Sequence, residues 1–163
     1  MGMASSFAGE VASLHLADKK KEPMRSVARL LAVAGKGIEG DRYYHAKGTF
    51  SDRVGRDGEV TLIELEAIEA LVREGGVDLD PGDARRNIVT RGAPLNHLVG
   101  REFLVGGTRL RGMRLCEPCS HLEKLTRPGV IKGLIHRGGL RAEILVGGEI
   151  RVGDRVAPVG EDG

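Results

Sequence analysis

The sequence predicts a mainly β fold, a barrel of short strands with a few flanking helices. Three observations lead there. Gly is abundant, at 25 of 163 residues, which implies many tight turns and several short strands rather than a helix bundle. Two phrases share one form, FLVGGTRLRGMRL (Phe103 to Leu115) and ILVGGEIRVGDRV (Ile144 to Val156). Each sets an apolar strand before a Gly-Gly pair and an alternating strand after it, and the pair supplies the positive φ angles of a two-residue hairpin. Only one long stretch carries a helical period.

In chain order, Val11 to Leu16 and Val27 to Val33 read as two short strands separated by the charged turn ADKKKEP. A long loop rich in Gly and charge runs from Gly35 to Gly58 and contains GIEGDRYYH, Gly37 to His45. Loops of that length inside a compact domain are commonly functional or mobile. TLIELEAIEALVREG, residues 61–75, gives the long helix. Thr61 and Glu64 have capping-box spacing, Leu65, Ile68 and Leu71/Val72 form the apolar stripe, and Gly75 stops it. Such a helix is expected to cover one open side of a sheet. Asn87 to Val89 reads as a further short strand between Arg85-Arg86 and Arg91. With 40% hydrophobic residues, no Trp and only three Phe and two Tyr, the chain is expected to bury one aliphatic core as a single domain, 1–163.

No apolar run has the length of a membrane-spanning helix, and the N-terminus lacks the apolar region of a signal peptide. A cytoplasmic protein with no membrane association is expected. Two cysteines and no export signal point to reduced thiols rather than a structural disulfide. The net charge of +2 hides an asymmetry: from Arg85 to Arg141 ten Arg and two Lys oppose three Glu, a net +9, which leaves the rest of the chain at −7. A basic stretch in an otherwise acidic protein calls for an anionic partner. Base-stacking aromatics are nearly missing, which argues against nucleic acid and leaves a small phosphorylated or carboxylated ligand.

RLCEPCSHLE, residues 114–123, holds both cysteines, Cys116 and Cys119. Leu115 ends a predicted strand, and Ser120 and Glu123 have capping-box spacing, so Cys119 is expected at a helix N-terminus. Free N–H groups and a partial positive charge there favour a thiolate, as does nearby Arg114. A thiolate attacks substrates or ligates molybdenum, copper or zinc. Cys116 continues the strand's alternation and reads as a small buried hydrophobe. A thioredoxin-like dithiol requires a βαβ context that a hairpin strand does not give, and c-type haem attachment requires a His where Ser120 stands. Zinc on Cys116, Cys119, His121 and His136 lacks the second closely spaced pair of structural sites. His15 is expected at the surface, while His45 and His97 are candidates for a cleft.

Five phrases in order, GIEGDRYY, ARRNIVTRG, VGREFLVG, RLCEPC and HRGGLRAEILVGGEIRVGD, span about Gly37 to Val156. Together they resemble the MOSC domain, found at the C-terminus of molybdenum cofactor sulfurases and as stand-alone bacterial proteins; the chain looks closest to the small stand-alone form. The resemblance implies a barrel-like β fold that binds the molybdenum cofactor (molybdopterin). It implies sulfur handling or, as in amidoxime-reducing relatives, reduction of N-hydroxylated compounds. It also implies Cys119 as the thiolate that ligates molybdenum or carries sulfur, because Pro commonly precedes that cysteine as Pro118 does here, with Cys116 as the alternative.

Arg42, Arg85, Arg86, Asn87 and Arg91 lie in the family-like motifs, and with His136 and Arg137 they are the candidate cradle for the cofactor's phosphate. Arg suits that role because its planar fork binds phosphate bidentately. Asp41 either orients Arg42 or caps the turn after Gly40. The chain lacks the aminotransferase-like and electron-input domains of larger relatives, so a separate redox or sulfur-donor protein is expected as partner. Two further classes stay open, a non-catalytic cofactor carrier or chaperone and a zinc-stabilised β domain using Cys116, Cys119 and His121.

Overall fold

The computed structural model describes residues 7–19, 22–41, 44, 59–75, 80–115 and 138–159. In chain order these form β1 (Gly9–Leu16), β2 (Arg25–Val27), β3 (Arg29–Val33), β4 (Gly37–Ile38), β5 (Val60–Glu64), α1 (Leu65–Gly75), β6 (Ile88–Arg91), β7 (Glu102–Val105), β8 (Thr108–Leu115), β9 (Leu140–Val146), β10 (Gly148–Arg151) and β11 (Arg155–Pro158). Single turns of 3₁₀ helix at Pro81–Ala84 and Leu95–Leu98 flank β6. Seven strands close into a barrel in the order β1, β11, β7, β8, β9, β5, β6 and back to β1. Closure removes the exposed strand edges that an open sheet of this size would leave. Among the described residues no helix is long and apolar enough to cross a membrane.

The mainly β prediction therefore holds, and the register shows why the barrel closes. Cross-strand partners run Leu115, Leu140, Leu62, Ile88, Leu14 and Val27 across six consecutive strands. Every member belongs to, or packs on, the main core, whose largest side chain is the fully buried Phe103. A slip of one residue in any strand would turn its apolar set outward.

The helix is shorter than its sequence pattern suggests. Residues 61–64 are strand rather than first turn, and the helix starts at Leu65. The capping-box residues have other uses: the Thr61 hydroxyl bonds Asn87, and a Glu64 carboxylate oxygen accepts from the Leu95 N–H at 3.0 Å. Val60, Leu62 and Ile63 are fully buried, and a β-branched run buried on both faces suits a central parallel strand. β5 pairs in parallel with β6, so a crossover must join them, and α1 supplies part of it. Ile68 and Leu71 of α1 pack on Ile63, Val89 and Ala84 in a second core outside the barrel. Val72, expected in the apolar stripe, is exposed.

The two Gly-Gly phrases diverge. Gly106 and Gly107 do turn β7 into β8 as a hairpin. Gly147 and Gly148 do not: β9 already pairs with β8 on one edge and β5 on the other, so β10 has no edge of β9 to join. Instead the chain leaves the barrel, and β10 pairs with β3, which pairs with β4 inside the long Gly-rich loop. Gly147 sits so close to β3 that a Cβ there would run into the Ala32 carbonyl oxygen. The predicted strand Val27 to Val33 is likewise divided at Ala28, because β2 belongs to the barrel sheet and β3 to the small one.

Candidate functional site

One residue out of step with the apolar belt runs a polar one. Arg114 opposes Arg141, Arg141 opposes Thr61, and His15 opposes Ser26. Asn87 joins the two halves. Its Oδ1 accepts from the Thr61 N–H at 3.1 Å and the Thr61 hydroxyl at 3.2 Å, while its own N–H donates to Thr61 Oγ1 at 3.1 Å. The Asn87 amide nitrogen donates to the His15 carbonyl at 3.2 Å, and the His15 N–H returns a bond of 2.8 Å to the Asn87 carbonyl. Asn87 is fully buried, so its polar atoms serve the frame that aligns β1, β5 and β6.

Next to Asn87 the chain sets two buried guanidiniums. Arg85 caps the Pro81–Ala84 turn in the left-handed region at φ 61°, a conformation that costs a non-Gly residue about 1 kcal/mol. Its Nη1 donates to the Glu22 carbonyl at 2.6 Å, across to the loop between β1 and β2. Asp41 binds the start of that loop, accepting from the Ala17 N–H at 3.1 Å, so its carboxylate ties the GIEGD segment to the end of β1. Arg86 donates from Nε to the Gly138 carbonyl at 2.8 Å. Gly138 is the first described residue after the segment that carries both cysteines, and Leu115 is the last before it. Leu115 and Leu140 are cross-strand partners, so the segment leaves and returns at neighbouring points, and Arg86 clamps the return.

The residues selected from the sequence separate accordingly. Arg86 reaches the point where the cysteine segment returns, at Gly138, while Arg85 reaches the β1–β2 loop at Glu22. Arg91 does not join them: it lies at the other end of β6, where it pairs with Glu69 of α1 at 3.2 Å on the surface. Asn87 is adjacent but turned to the frame. Arg42, Cys116, Cys119, His136 and Arg137 lie outside the described residues, as do His45, His121 and the Ser120/Glu123 capping box. Among the described residues no cluster of His, Cys, Asp and Glu stands ready to hold a metal ion. His97 does face a cleft, of about 310 Å³, with Glu64, Pro94, Leu95, Asn96 and Gly139. That cleft adjoins the same return point. Sequence reasoning misses Glu64 as a member, because its spacing from Thr61 reads as a helix cap.

His15 is buried rather than at the surface. Its ring lies 2.8 Å from Ser13 Oγ through Nε2 and 3.3 Å from Ser26 Oγ through Nδ1. The Pro81–Ala84 turn covers it, with Gly82 leaving no more than room for the imidazole. Burial pushes the His15 pKa below its ordinary 6.5, and Asp83 opposes that only in part. The unfolded chain then binds a proton that the folded chain resists, so this contribution is intact above pH 6.5 and is lost as pH falls below it toward the lowered value. Denaturant midpoints measured from pH 7.5 to 5.0 are expected to fall on the acid side. His15→Gln is expected to flatten that fall, and an equal fall in both proteins would refute the assignment.

Fold and site together define a class: a closed β-barrel in which buried Arg86 holds the point where the cysteine-bearing segment returns. A family model of the MOSC domain matches residues 49–157, and the chain belongs to that family. Among solved structures, the YuaD protein from Bacillus subtilis is similar over 95% of this chain and 97% of its own, with a TM-score of 0.79 and 18% identity. YiiM from Geobacillus stearothermophilus aligns over 93% of this chain and 75% of its own, at a TM-score of 0.70 and 17% identity. YiiM from Escherichia coli aligns over 97% and 71%, at 0.62 and 14%. At these identities the likeness establishes the fold. No curated protein matches the chain.

Proposed function

We propose that this MOSC-family chain binds the molybdenum cofactor and uses Cys119 as the thiolate that ligates molybdenum or carries sulfur. The observation that carries the reading is buried Arg86, bonded to the Gly138 carbonyl where the cysteine segment returns to the barrel, with buried Arg85 beside it in the chain. Family membership supports it, because MOSC domains are associated with this cofactor. The donor chemistry fits: a guanidinium carries five N–H donors in a fixed fork, and in a basic segment it suits a phosphate. Arg85 and Arg86 would hold that phosphate, with Arg42, His136 and Arg137 as further candidates from the sequence.

When bound, the cofactor supplies a redox-active Lewis acid. The chain's own residues prepare the place. Arg86 and the Leu115–Leu140 pairing fix both ends of the cysteine segment, while Asp41 and Arg85 hold the β1–β2 loop. The cleft of Glu64, Asn96 and His97 gives a small polar substrate a carboxylate, an amide and an imidazole close to the same point. Turnover would draw electrons or sulfur from a separate donor protein.

The test is loading. The protein is expressed in a host that makes the cofactor, and bound molybdenum and pterin are measured. About one of each per chain is expected in wild type, with molybdenum lost in Cys119→Ala, retained in Cys116→Ala, and pterin reduced in Arg86→Met. Folded wild type that loads neither would end the proposal; zinc near one per chain, lost with either cysteine, would replace it with a structural metal site. Loading without turnover of an N-hydroxylated compound or a persulfide would identify a carrier.

A further inference from the structure

A cluster of two hydroxyls and an imidazole stands around His15, and the proposed cofactor chemistry does not use it. Ser13 and His15 lie two residues apart on β1 and share one face of the strand. Ser26 of β2 is the cross-strand partner of His15. The imidazole sits between the two serines, with Ser13 Oγ 2.8 Å from Nε2 and Ser26 Oγ 3.3 Å from Nδ1. A neutral imidazole carries one N–H and one bare nitrogen, so one serine accepts from the ring and the other donates to it. Burial lowers the His15 pKa below its ordinary 6.5 and keeps the ring neutral near pH 7. A serine hydroxyl therefore points at an unprotonated base.

The two serines differ in access. Ser13 is half-buried, whereas Ser26 is exposed on β2, whose outer side has no strand partner among the described residues. The His15 N–H and C=O both bond to Asn87. His15 and Ser26 therefore face each other as a non-hydrogen-bonded pair, the closer of the two antiparallel geometries. The Ser26 N–H is accordingly directed away from β1, to the open edge beside its own hydroxyl. A backbone N–H so placed is a donor for the oxyanion that forms when the hydroxyl attacks a carbonyl. Asp83, on the turn that covers the ring, partly offsets the cost of charging it and so favours the imidazolium that proton uptake creates.

We infer that Ser26 is a nucleophile activated by His15, with Ser13 holding the ring from its far side, and that the site takes small activated esters arriving from solvent at the open edge. Ser26 Oγ attacks the ester carbonyl carbon while its proton passes to Nδ1. The bond from that carbon to the leaving oxygen breaks, and the alcohol departs with the proton. Water then gives a proton to Nδ1 and attacks the acyl carbon, and Ser26 Oγ leaves and recovers that proton. Nucleophile, base and a third group that orients the base are the parts this chemistry needs. The site does not depend on the cofactor reading.

The probe is p-nitrophenyl acetate, with nitrophenol release followed near neutral pH and the acetyl group located by peptide mass mapping. Acetylation of the full chain at Ser26, and at no other serine, is expected. His15→Gln is expected to slow it roughly a hundredfold. Ser13→Ala is expected to slow it as well, and Ser13→Thr, which keeps the hydroxyl, to recover most of the rate. In urea-unfolded wild type, Ser26 is expected to react no faster than the other serines, which keeps the test decisive should His15→Gln fail to fold. Release continuing past one equivalent per chain is expected, and a single equivalent overturns the water step. Acetyl groups found only on cysteine, lysine or Ser13 overturn the assignment, as does a Ser26 rate unchanged in folded His15→Gln or in urea.

Discussion

Replacing Gly139 by alanine is expected to cost about 3 kcal/mol of folding free energy, because backbone strain and a collision with backbone coincide there. Gly139 has φ 110°, and a Cβ at that position would run into the Leu62 carbonyl oxygen, with Ile63 Cα close behind. Both obstacles are backbone of a central strand, so neither can swing aside. The strain would fall where the cysteine segment returns to the barrel, between the Arg86 clamp at Gly138 and the first rung at Leu140. Gly100 is the control: it has φ 78° but open space around it, so alanine there meets only the backbone penalty of about 1 kcal/mol. Urea unfolding of both variants separates conformation from collision. If Gly139→Ala is no worse than Gly100→Ala, the close approach to β5 does not matter.

The second large effect is expected at Asn87. Truncation to alanine removes the acceptor of two Thr61 bonds and the donor to the His15 carbonyl. All of these partners are buried, and stranded buried groups cost more than the bonds themselves were worth, for a total of about 2–4 kcal/mol. A cycle with Thr61→Val distinguishes a network from separate contacts, since residues sharing bonds are not additive. Losses that simply sum would mean that Asn87 matters through packing alone. Asn87→Asp is the sharper comparison, because it keeps the shape and the acceptor while removing the donor to His15 and adding a buried charge.

These residues show how far sequence reading reaches. ARRNIVTRG stands out as a motif, and Asn87 in it reads as a ligand candidate. An Asn before a short strand carries the same signature whether it faces a ligand or a neighbouring strand, and only the register of β5 against β6 decides between them. Arg91 fails as a companion of Arg85 and Arg86 for a simple reason of length: it ends β6, the four-residue strand that begins just after Arg86-Asn87, so the strand's length separates them. His15, in a short predicted strand, is expected at the surface. The Pro81–Ala84 turn that covers it comes from a distant part of the chain.

Arg141 lies within the HRGGLRAEILVGGEIRVGD phrase, but that it stands opposite Arg114 is a fact of pairing between β8 and β9. Glu64 is hidden by a true ambiguity, since Thr-x-x-Glu before an apolar stripe starts a helix as readily as it ends a strand that runs into one.

The amino-acid sequence by itself determined the β class, the apolar alternation, the FLVGGTRLRGMRL hairpin, the helix body and the resemblance to the MOSC family. All of these rest on local period, turn chemistry or short ordered motifs, which neighbouring residues settle among themselves. Only the tertiary structure decided that Gly147-Gly148 is a passage between sheets, that Thr61 to Glu64 is strand, and that Arg86 clamps Gly138. Each of those depends on which strand edges remain unpaired once the barrel has closed. A barrel's edges are assigned by all of its strands together, and no stretch of sequence carries that assignment alone.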